Sequence, residues 1–142
     1  MMTTPRRVRL NPLQPWQRWT VIAAAVSLLL SGVGWLPVHY GWGAGAGDLP
    51  HPLEPWIVRW HALSALAGLF AGGVVAGGHV GRGWRLGLRR ASGLAVCLLA
   101  GLLAASGYVL SYLVSEAWRP ALGWAHAALG VAAFGLGAVH RR

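Results

Sequence analysis

The sequence predicts an all-α membrane protein, a bundle of four antiparallel transmembrane helices with both termini in the cytoplasm. Of its 142 residues, 56% are hydrophobic and only 11% are charged, which is less than half the charged fraction of a typical soluble domain. Four charge-free runs are each at least about 20 residues long, enough for a helix to cross a bilayer. They lie between Arg18 and Asp48, Arg59 and Arg82, Arg90 and Glu116, and Arg119 and Arg141.

The distribution of arginine predicts the orientation of the helices. All twelve basic residues are arginines. Ten of them lie before or at the start of the first predicted helix, in the 82–90 link or after the last helix. Only Arg59 and Arg119 share the opposite side with the three acidic residues. This is the positive-inside pattern of a membrane protein. The net charge of +9 therefore indicates topology, and no nucleic-acid partner is expected.

The first predicted helix covers residues 18–36 and follows a basic cytoplasmic segment, residues 1–17. Trp35-Leu36-Pro37 is typical of a helix end, so an outer loop rich in proline and glycine is expected at residues 37–55. A cleaved signal peptide is the alternative for this helix. It is disfavoured because its small-residue site, Ala44-Gly45-Ala46, lies far beyond the apolar region.

The remaining helices are predicted at residues 56–80, 91–113 and 119–139, so that residues 18–142 form one transmembrane domain surrounded by lipid. Pro55 and Pro120 are typical first-turn prolines, since no N–H is needed there. The two short links predict antiparallel neighbours. Most of the nine tryptophans lie near predicted helix ends, as interfacial belts require. No internal repeat with a convincing period is found.

Four histidines occupy the second and fourth helices in a paired arrangement. His61 and His79 are 18 residues apart, which is five full turns at about 100° per residue, so both lie on one helix face. His126 and His140 are 14 apart and lie within about 40° of each other. His61 and His126 each follow a helix-starting proline by six residues, which predicts a similar depth near the outer surface. His79 and His140 both precede cytoplasmic arginines.

Small residues separate the histidines on both faces, namely Gly68 and Gly72 on the second helix and Gly130, Ala133 and Gly137 on the fourth. Close helix packing explains such glycines. It does not explain the ionisable rings at the ends of each stripe, which are costly inside a bundle and mark a functional site. The two histidines of the second helix are four residues further apart than those of the fourth, a difference of about 6 Å along a helix. Helix tilt, or loosening of the helix at Gly72-Gly73 or Gly77-Gly78, must absorb this difference.

Facing imidazoles at one depth are a common way to hold haem iron from both sides. The pattern predicts one haem between His61 and His126 and a second between His79 and His140, with room provided by Gly68, Gly72, Gly130 and Gly137. The lone Cys97 and the lack of a C-x-x-C-H sequence predict non-covalent, b-type haem. Zinc fits less well, because two histidines at each level are too few ligands for a closed site.

Three stretches also resemble a known family and cover about residues 58–142: RWHALSALAGLF…GGHVGRGWR, RRASGLAVCLLAGLLAASGYVLSYLVSEAWR and LGWAHAALGVAAFGLGAVHRR. They are similar to the small four-helix di-haem cytochrome b family of bacterial membranes, the cytochrome b-561-like group and its relatives. The resemblance implies haem ligation by His61, His79, His126 and His140 in the bacterial inner membrane. It also implies electron transfer between a quinone pool and a redox partner protein or catalytic subunit. Many relatives place a ligand in the first helix, and here His39, just past its end, is the candidate replacement for an outer ligand.

A quinone would need a hydrogen-bonding group at the membrane edge. The residues predicted at the outer edge are Arg59, Trp60, Glu116, Arg119, Tyr108 and Tyr112. Interfacial anchoring is the simpler role for the tryptophan and the arginines among them. Ser106, Ser111 and Ser115 are expected to bond within their own helix.

Besides an electron-transfer subunit of an oxidoreductase complex, two functions stay open. One is a haem-free scaffold subunit of a respiratory complex, and the other is a histidine-based transporter of metal ions or protons.

Overall fold

A computed structural model describes residues 13–43, 45, 47, 49–86 and 90–140, without the side chains at 79, 80, 82, 83 and 140. Across these residues the chain is helical and contains no strand. The elements are α1 (Pro15–Trp42), α2 (Glu54–Val75), a π-helical turn (Ala76–Val80), α3 (Gly81–Arg85), α4 (Arg90–Tyr112) and α5 (Arg119–His140).

Four helical segments are long and apolar enough to cross a membrane: Pro15–Trp42, Glu54–Gly78, Arg90–Tyr112 and Arg119–Val139. Their apolar side chains are mostly exposed, and no residue of α4 is buried. Large apolar side chains on the outside of a helix suit a lipid environment, where the backbone satisfies its own hydrogen bonds. The chain therefore has the helical character of a multi-pass transmembrane protein.

The first helix is longer than the sequence predicts at both ends. It begins at Pro15, where the backbone N–H of Gln14 donates to Gln17 Oε1 at 3.0 Å. It also continues through Pro37 to Trp42, so the prediction that Pro37 ends the helix is wrong and the loop between α1 and α2 begins at Gly43. A proline removes one backbone donor and crowds the preceding turn, but residues beyond it can hold the helix together through other contacts.

His39 makes those contacts, one turn or less beyond the proline. Its ring stacks on Trp35 with centroids 4.2 Å apart. Its Nδ1 lies 3.0 Å from Glu54 Oε2 at the start of α2. The other Glu54 oxygen accepts the backbone N–H of His51 at 3.1 Å. One buried carboxylate thus ties together the end of α1, the loop that follows it and the first turn of α2.

The other predicted boundaries agree closely with the structure, except for the end of the second span. α2 begins at Glu54-Pro55 and α5 at Arg119-Pro120, so both prolines occupy a first helical turn as predicted. α4 differs from its predicted range by one residue at each end.

The second span does not remain α-helical to residue 80. A π turn replaces the α-helix at Ala76–Val80 and contains Gly77-Gly78, one of the two places where the histidine spacing required loosening. A π turn has i→i+5 hydrogen bonds and shifts the phase of the residues that follow. The prediction that His79 and His61 share one helix face assumes an unbroken α-helix between them. The π turn removes that assumption.

The helices pack as two pairs. The first pair, α1 with α2, and the second pair, α4 with α5, are each closely packed, whereas α1 and α5 make the smaller contact that joins them. A polar seam holds the first pair together: Ser27 Oγ lies 2.7 Å from Ser64 Oγ and accepts the Trp60 indole N–H at 2.8 Å. Ser64 Oγ donates in turn to the Trp60 carbonyl at 2.9 Å.

Candidate functional site

His61 of α2 and His126 of α5 come together between the two helix pairs. Their ring centroids are 6.2 Å apart and the ring planes make an angle of 66°. Both residues are half-buried. The sequence predicted that these two residues lie at similar depth, and the structure places their rings side by side.

Each ring is held by a serine of the neighbouring helix in its own pair. His61 Nδ1 lies 2.8 Å from Ser31 Oγ on α1. His126 Nδ1 lies 2.8 Å from Ser106 Oγ on α4. The two pairs therefore present the same arrangement, in which one nitrogen of each imidazole is occupied by a hydroxyl and Nε2 remains for another partner.

A glycine follows each of these serines and lies against the same ring. A Cβ built on Gly32 would be 3.5 Å from His61 Cε1, and one built on Gly107 would be 3.5 Å from His126 Cε1. Small residues at these positions let the helix backbone approach the imidazole closely. A Ser-Gly dipeptide on one helix and a histidine on the next form the same half-site twice.

Sequence reasoning missed this repeated half-site, although its signal is present. Both copies contain Ser-Gly followed by Pro-x5-His, and the serine precedes the proline by 24 residues in the first copy and 14 in the second. The unequal connection hides the repeat from any search for a constant period. Ser106 was expected to bond only within its helix; it does contact the Leu103 carbonyl at 3.2 Å, but it also contacts His126. The expectation for Ser111 is confirmed by its 2.8 Å bond to the Gly107 carbonyl.

His79 and His140 make up the predicted inner pair. His79 lies in the π turn and His140 is the last residue of α5, and both side chains lie outside the described part of the structure. Their pairing stays a prediction from the sequence.

The four glycines expected to make room for haem occupy two kinds of environment. A Cβ on Gly68 would contact Leu28 and Ala24 of α1 at 3.6 and 3.7 Å, and one on Gly130 would lie 4.0 Å from Leu103 of α4. These two glycines lie at helix-packing contacts within the pairs. Gly72 and Gly137 have nothing within 4 Å of an added Cβ and face open space.

The residues predicted at the outer edge have structural contacts. The Arg59 guanidinium lies 5.0 Å from the centroid of the Trp56 ring. Arg119 donates to the Leu110 carbonyl at 2.8 Å, near the end of α4, and pairs with Glu116 at 2.9 Å. A cation at a helix C-terminus satisfies free carbonyls and opposes the helix dipole. Tyr108 and Tyr112, also predicted at this edge, contact each other with ring centroids 5.0 Å apart. These contacts occupy the side chains within the protein, and the choice between anchoring and quinone binding stays a prediction from the sequence.

An open cleft of about 520 Å³ lies on the first pair. It borders Ser31, but neither His61 nor His126 lines it. Its other lining residues are Ser27, Leu30, Gly34, Trp56, Ile57 and Trp60. The cleft is therefore a groove on the α1–α2 surface and is separate from the space between the histidines.

Within the described residues, no cluster of three or more histidine, cysteine or acidic side chains could hold a metal ion. A closed zinc site needs four protein ligands and a catalytic one needs three. The pair His61 and His126 has fewer ligands than either kind of zinc site.

Comparison of the chain with protein-family models, with curated proteins and with solved structures found no match.

Proposed function

We propose that this chain is a b-type cytochrome of the bacterial inner membrane that carries electrons through two bis-histidine haems. The observation that carries the proposal is the meeting of His61 and His126 from separate helix pairs, each with Nδ1 on a serine. A metal-ligating histidine commonly bonds its second ring nitrogen to a neighbouring group, which fixes the ring.

The separation of the rings fits one metal atom between them. Metal–nitrogen bonds of about 2.0 Å put the centroids of two imidazoles on opposite sides of one metal roughly 6.3 Å apart. The centroids of His61 and His126 are 6.2 Å apart. The 66° angle between the rings is compatible with this arrangement, because rotation about a metal–nitrogen axis preserves both bonds.

The sparse contact between the helix pairs also supports the proposal. α1 touches α5, but the pairs pack far less closely with each other than α1 does with α2. His61 and His126 would hold the first haem at this junction. With both axial positions occupied, a b-type haem supplies one-electron exchange without an open site for substrate. His79 and His140 are the proposed ligands of the second haem, on the support of the sequence pattern alone.

The proposed topology is an antiparallel four-helix bundle with both termini in the cytoplasm. Contacts along the first pair support opposite directions, since Ser27 meets Ser64, Ser31 meets His61 and His39 meets Glu54. The arginine distribution supports the orientation. In this arrangement His61 and His126 lie towards the outer surface, so the outer haem would exchange electrons with a quinone or a redox partner protein on that side.

A difference spectrum of the purified protein, reduced minus oxidised, tests the proposal. We expect sharp low-spin b-type bands with two components. His61→Ala and His126→Ala should remove the same component, because each leaves the iron with one protein ligand, whereas His79→Ala and His140→Ala should remove the other.

His51→Ala is the control, since this histidine lies in the outer loop and its Nδ1 accepts the Leu53 backbone N–H at 3.2 Å. It should leave both components in place. Bands that are absent from the wild-type protein would overturn the proposal, and metal analysis would then separate a metal transporter from a haem-free scaffold. Loss of different components from His61→Ala and His126→Ala would show that the pairing is wrong.

A further inference from the structure

The hydroxyl of Ser31 has only one proton, and the surrounding atoms show where it lies. Ser31 Oγ is 2.7 Å from the Ser27 carbonyl oxygen and 3.2 Å from that of Leu28. Two oxygen atoms approach to 2.7 Å only when a proton lies between them. Ser31 therefore donates to its own helix backbone, a common pattern for serine in a helix, and its oxygen is left to accept a hydrogen bond from His61.

This arrangement fixes the tautomer of the ring. A neutral histidine carries one N–H and one lone pair, and its hydrogen-bond partners decide which nitrogen has which. Since Ser31 Oγ can only accept at 2.8 Å from His61 Nδ1, the proton lies on Nδ1 and the lone pair on Nε2. Ser106 lies 2.8 Å from His126 Nδ1 in the same way. Its hydroxyl is 3.2 Å from the Leu103 carbonyl, so the matching tautomer of His126 is inferred from the likeness of the two half-sites.

We infer that Ser31 and Ser106 are positioning residues that hold His61 and His126 as Nδ1-protonated tautomers, so that both Nε2 lone pairs are available to a ligand between the helix pairs. The purpose of this arrangement rests on the proposed haem function. The tautomers themselves follow from the hydrogen bonds of the chain and exist with or without haem. Ser31 is buried, so water does not readily replace its hydroxyl.

The haem-free protein tests the tautomers directly. In a sample labelled with ¹⁵N in histidine and reconstituted in lipid, we expect His61 and His126 to give the signals of an Nδ1–H tautomer, assigned by their loss in His61→Ala and His126→Ala. Ser31→Ala should change the His61 signal alone, and Ser106→Ala the His126 signal alone. Wild-type signals with the proton on Nε2 would overturn the inference.

The haem-loaded protein tests the consequence for the metal. Loss of a hydrogen bond from a ligating histidine typically weakens metal binding by about 10- to 100-fold, so Ser31→Ala and Ser106→Ala should each release haem more readily. Each should also raise the midpoint potential, because a ring without its acceptor donates less electron density to the iron. The low-spin electron paramagnetic resonance signal should shift as the ring becomes free to rotate.

Two further variants of α4 separate positioning from general damage. Ser106→Thr keeps the hydroxyl and should retain the wild-type potential and resonance signal. Ser111→Ala removes a hydroxyl that bonds only to the Gly107 carbonyl among the described contacts, and it should change neither. Unchanged potentials and signals in Ser31→Ala and Ser106→Ala would overturn the inference. Absent bands in the wild-type protein would overturn the haem function, and the tautomers would then be decided by the ¹⁵N signals of the haem-free protein alone.

Discussion

Ser64 and Ser27 show how single hydroxyl groups join two membrane helices. The Trp60 N–H donates to Ser27, Ser27 donates to Ser64, and Ser64 donates to the Trp60 carbonyl. Each hydroxyl therefore has both a donor and an acceptor role. In lipid no water replaces a lost partner, although measured hydrogen bonds between membrane helices are worth only about 0.6 kcal/mol on average.

Ser64→Ala should lower the free energy of unfolding by about 0.5–1.5 kcal/mol, because it removes one interhelical bond and leaves the Ser27 proton without its acceptor. Unfolding in mixed micelles of a mild detergent and dodecyl sulfate, followed by tryptophan fluorescence, measures this. Ser111→Ala is the control, since Ser111 is exposed and bonds to its own helix. Equal stability of the two variants would show that the seam contributes nothing.

The site residues show what the sequence can and cannot reveal at this scale. His61 and His126 stand out because ionisable rings are rare in apolar helices, and the prolines give their depth. The partners of the rings do not stand out. Ser31 and Ser106 resemble many serines that bond to their own helix, and only the packing of neighbouring helices shows that they also contact histidine.

The end of α1 shows that a helix boundary can depend on a distant contact. Pro37 is a typical stop signal, yet the helix continues to Trp42 because His39 is held by Glu54 and by Trp35. The contact with Glu54 cannot be read from residues 35–42, since Glu54 belongs to another helix. The remaining boundaries, apart from the π turn that ends the second span, were predicted well because hydropathy and first-turn prolines are local features.

Glu54→Ala should release the last turn of α1, because His39 and the His51 backbone N–H lose the carboxylate that they share. Hydrogen exchange followed by mass spectrometry should show faster exchange for peptides that cover residues 38–42 and 49–53, and unchanged exchange in α4. Glu116→Ala is the matched control, because Glu116 is 85% exposed and pairs with Arg119 at the other helix pair. Equal exchange in the two variants at residues 38–42 would contradict the role given to Glu54.

The four spans pack closely within each helix pair and make a smaller contact between the pairs. The close contacts within the pairs come from serines and glycines, whereas the junction contains α1, α5 and the two histidine rings. A ligand that binds both rings would link the pairs and stabilise the folded state in proportion to its affinity. The sequence predicted four spans, and its two short links predicted which of them are neighbours. α4 and α5 pack closely as predicted, whereas α2 and α4, joined by the other short link, are not among the closely packed pairs, and α1 and α2 pack closely across the longest link.

Spin labels on the single native cysteine test this division. Cys97 is exposed on α4, and Leu66→Cys on α2 or Val131→Cys on α5 adds a second exposed site. The distance distribution between residues 97 and 66, measured by pulsed dipolar spectroscopy, should narrow when haem binds, because haem would connect the pairs. The distribution between residues 97 and 131, within one pair, should stay narrow throughout. A 97–66 distribution that does not respond to haem would contradict the loose junction.

The π turn at Ala76–Val80 has a consequence for how this chain tolerates changes in length. It accommodates one more residue than a turn of α-helix. The residues beyond it therefore have a different rotational position about the helix axis from the one that an unbroken α-helix through Ser64 and His61 would give them. Deletion of one glycine at Gly77-Gly78 would convert the turn to ordinary α-helix and leave the upstream contacts in place. The same deletion near Ser64 would rotate the serine by about 100° and remove it from its partners on α1.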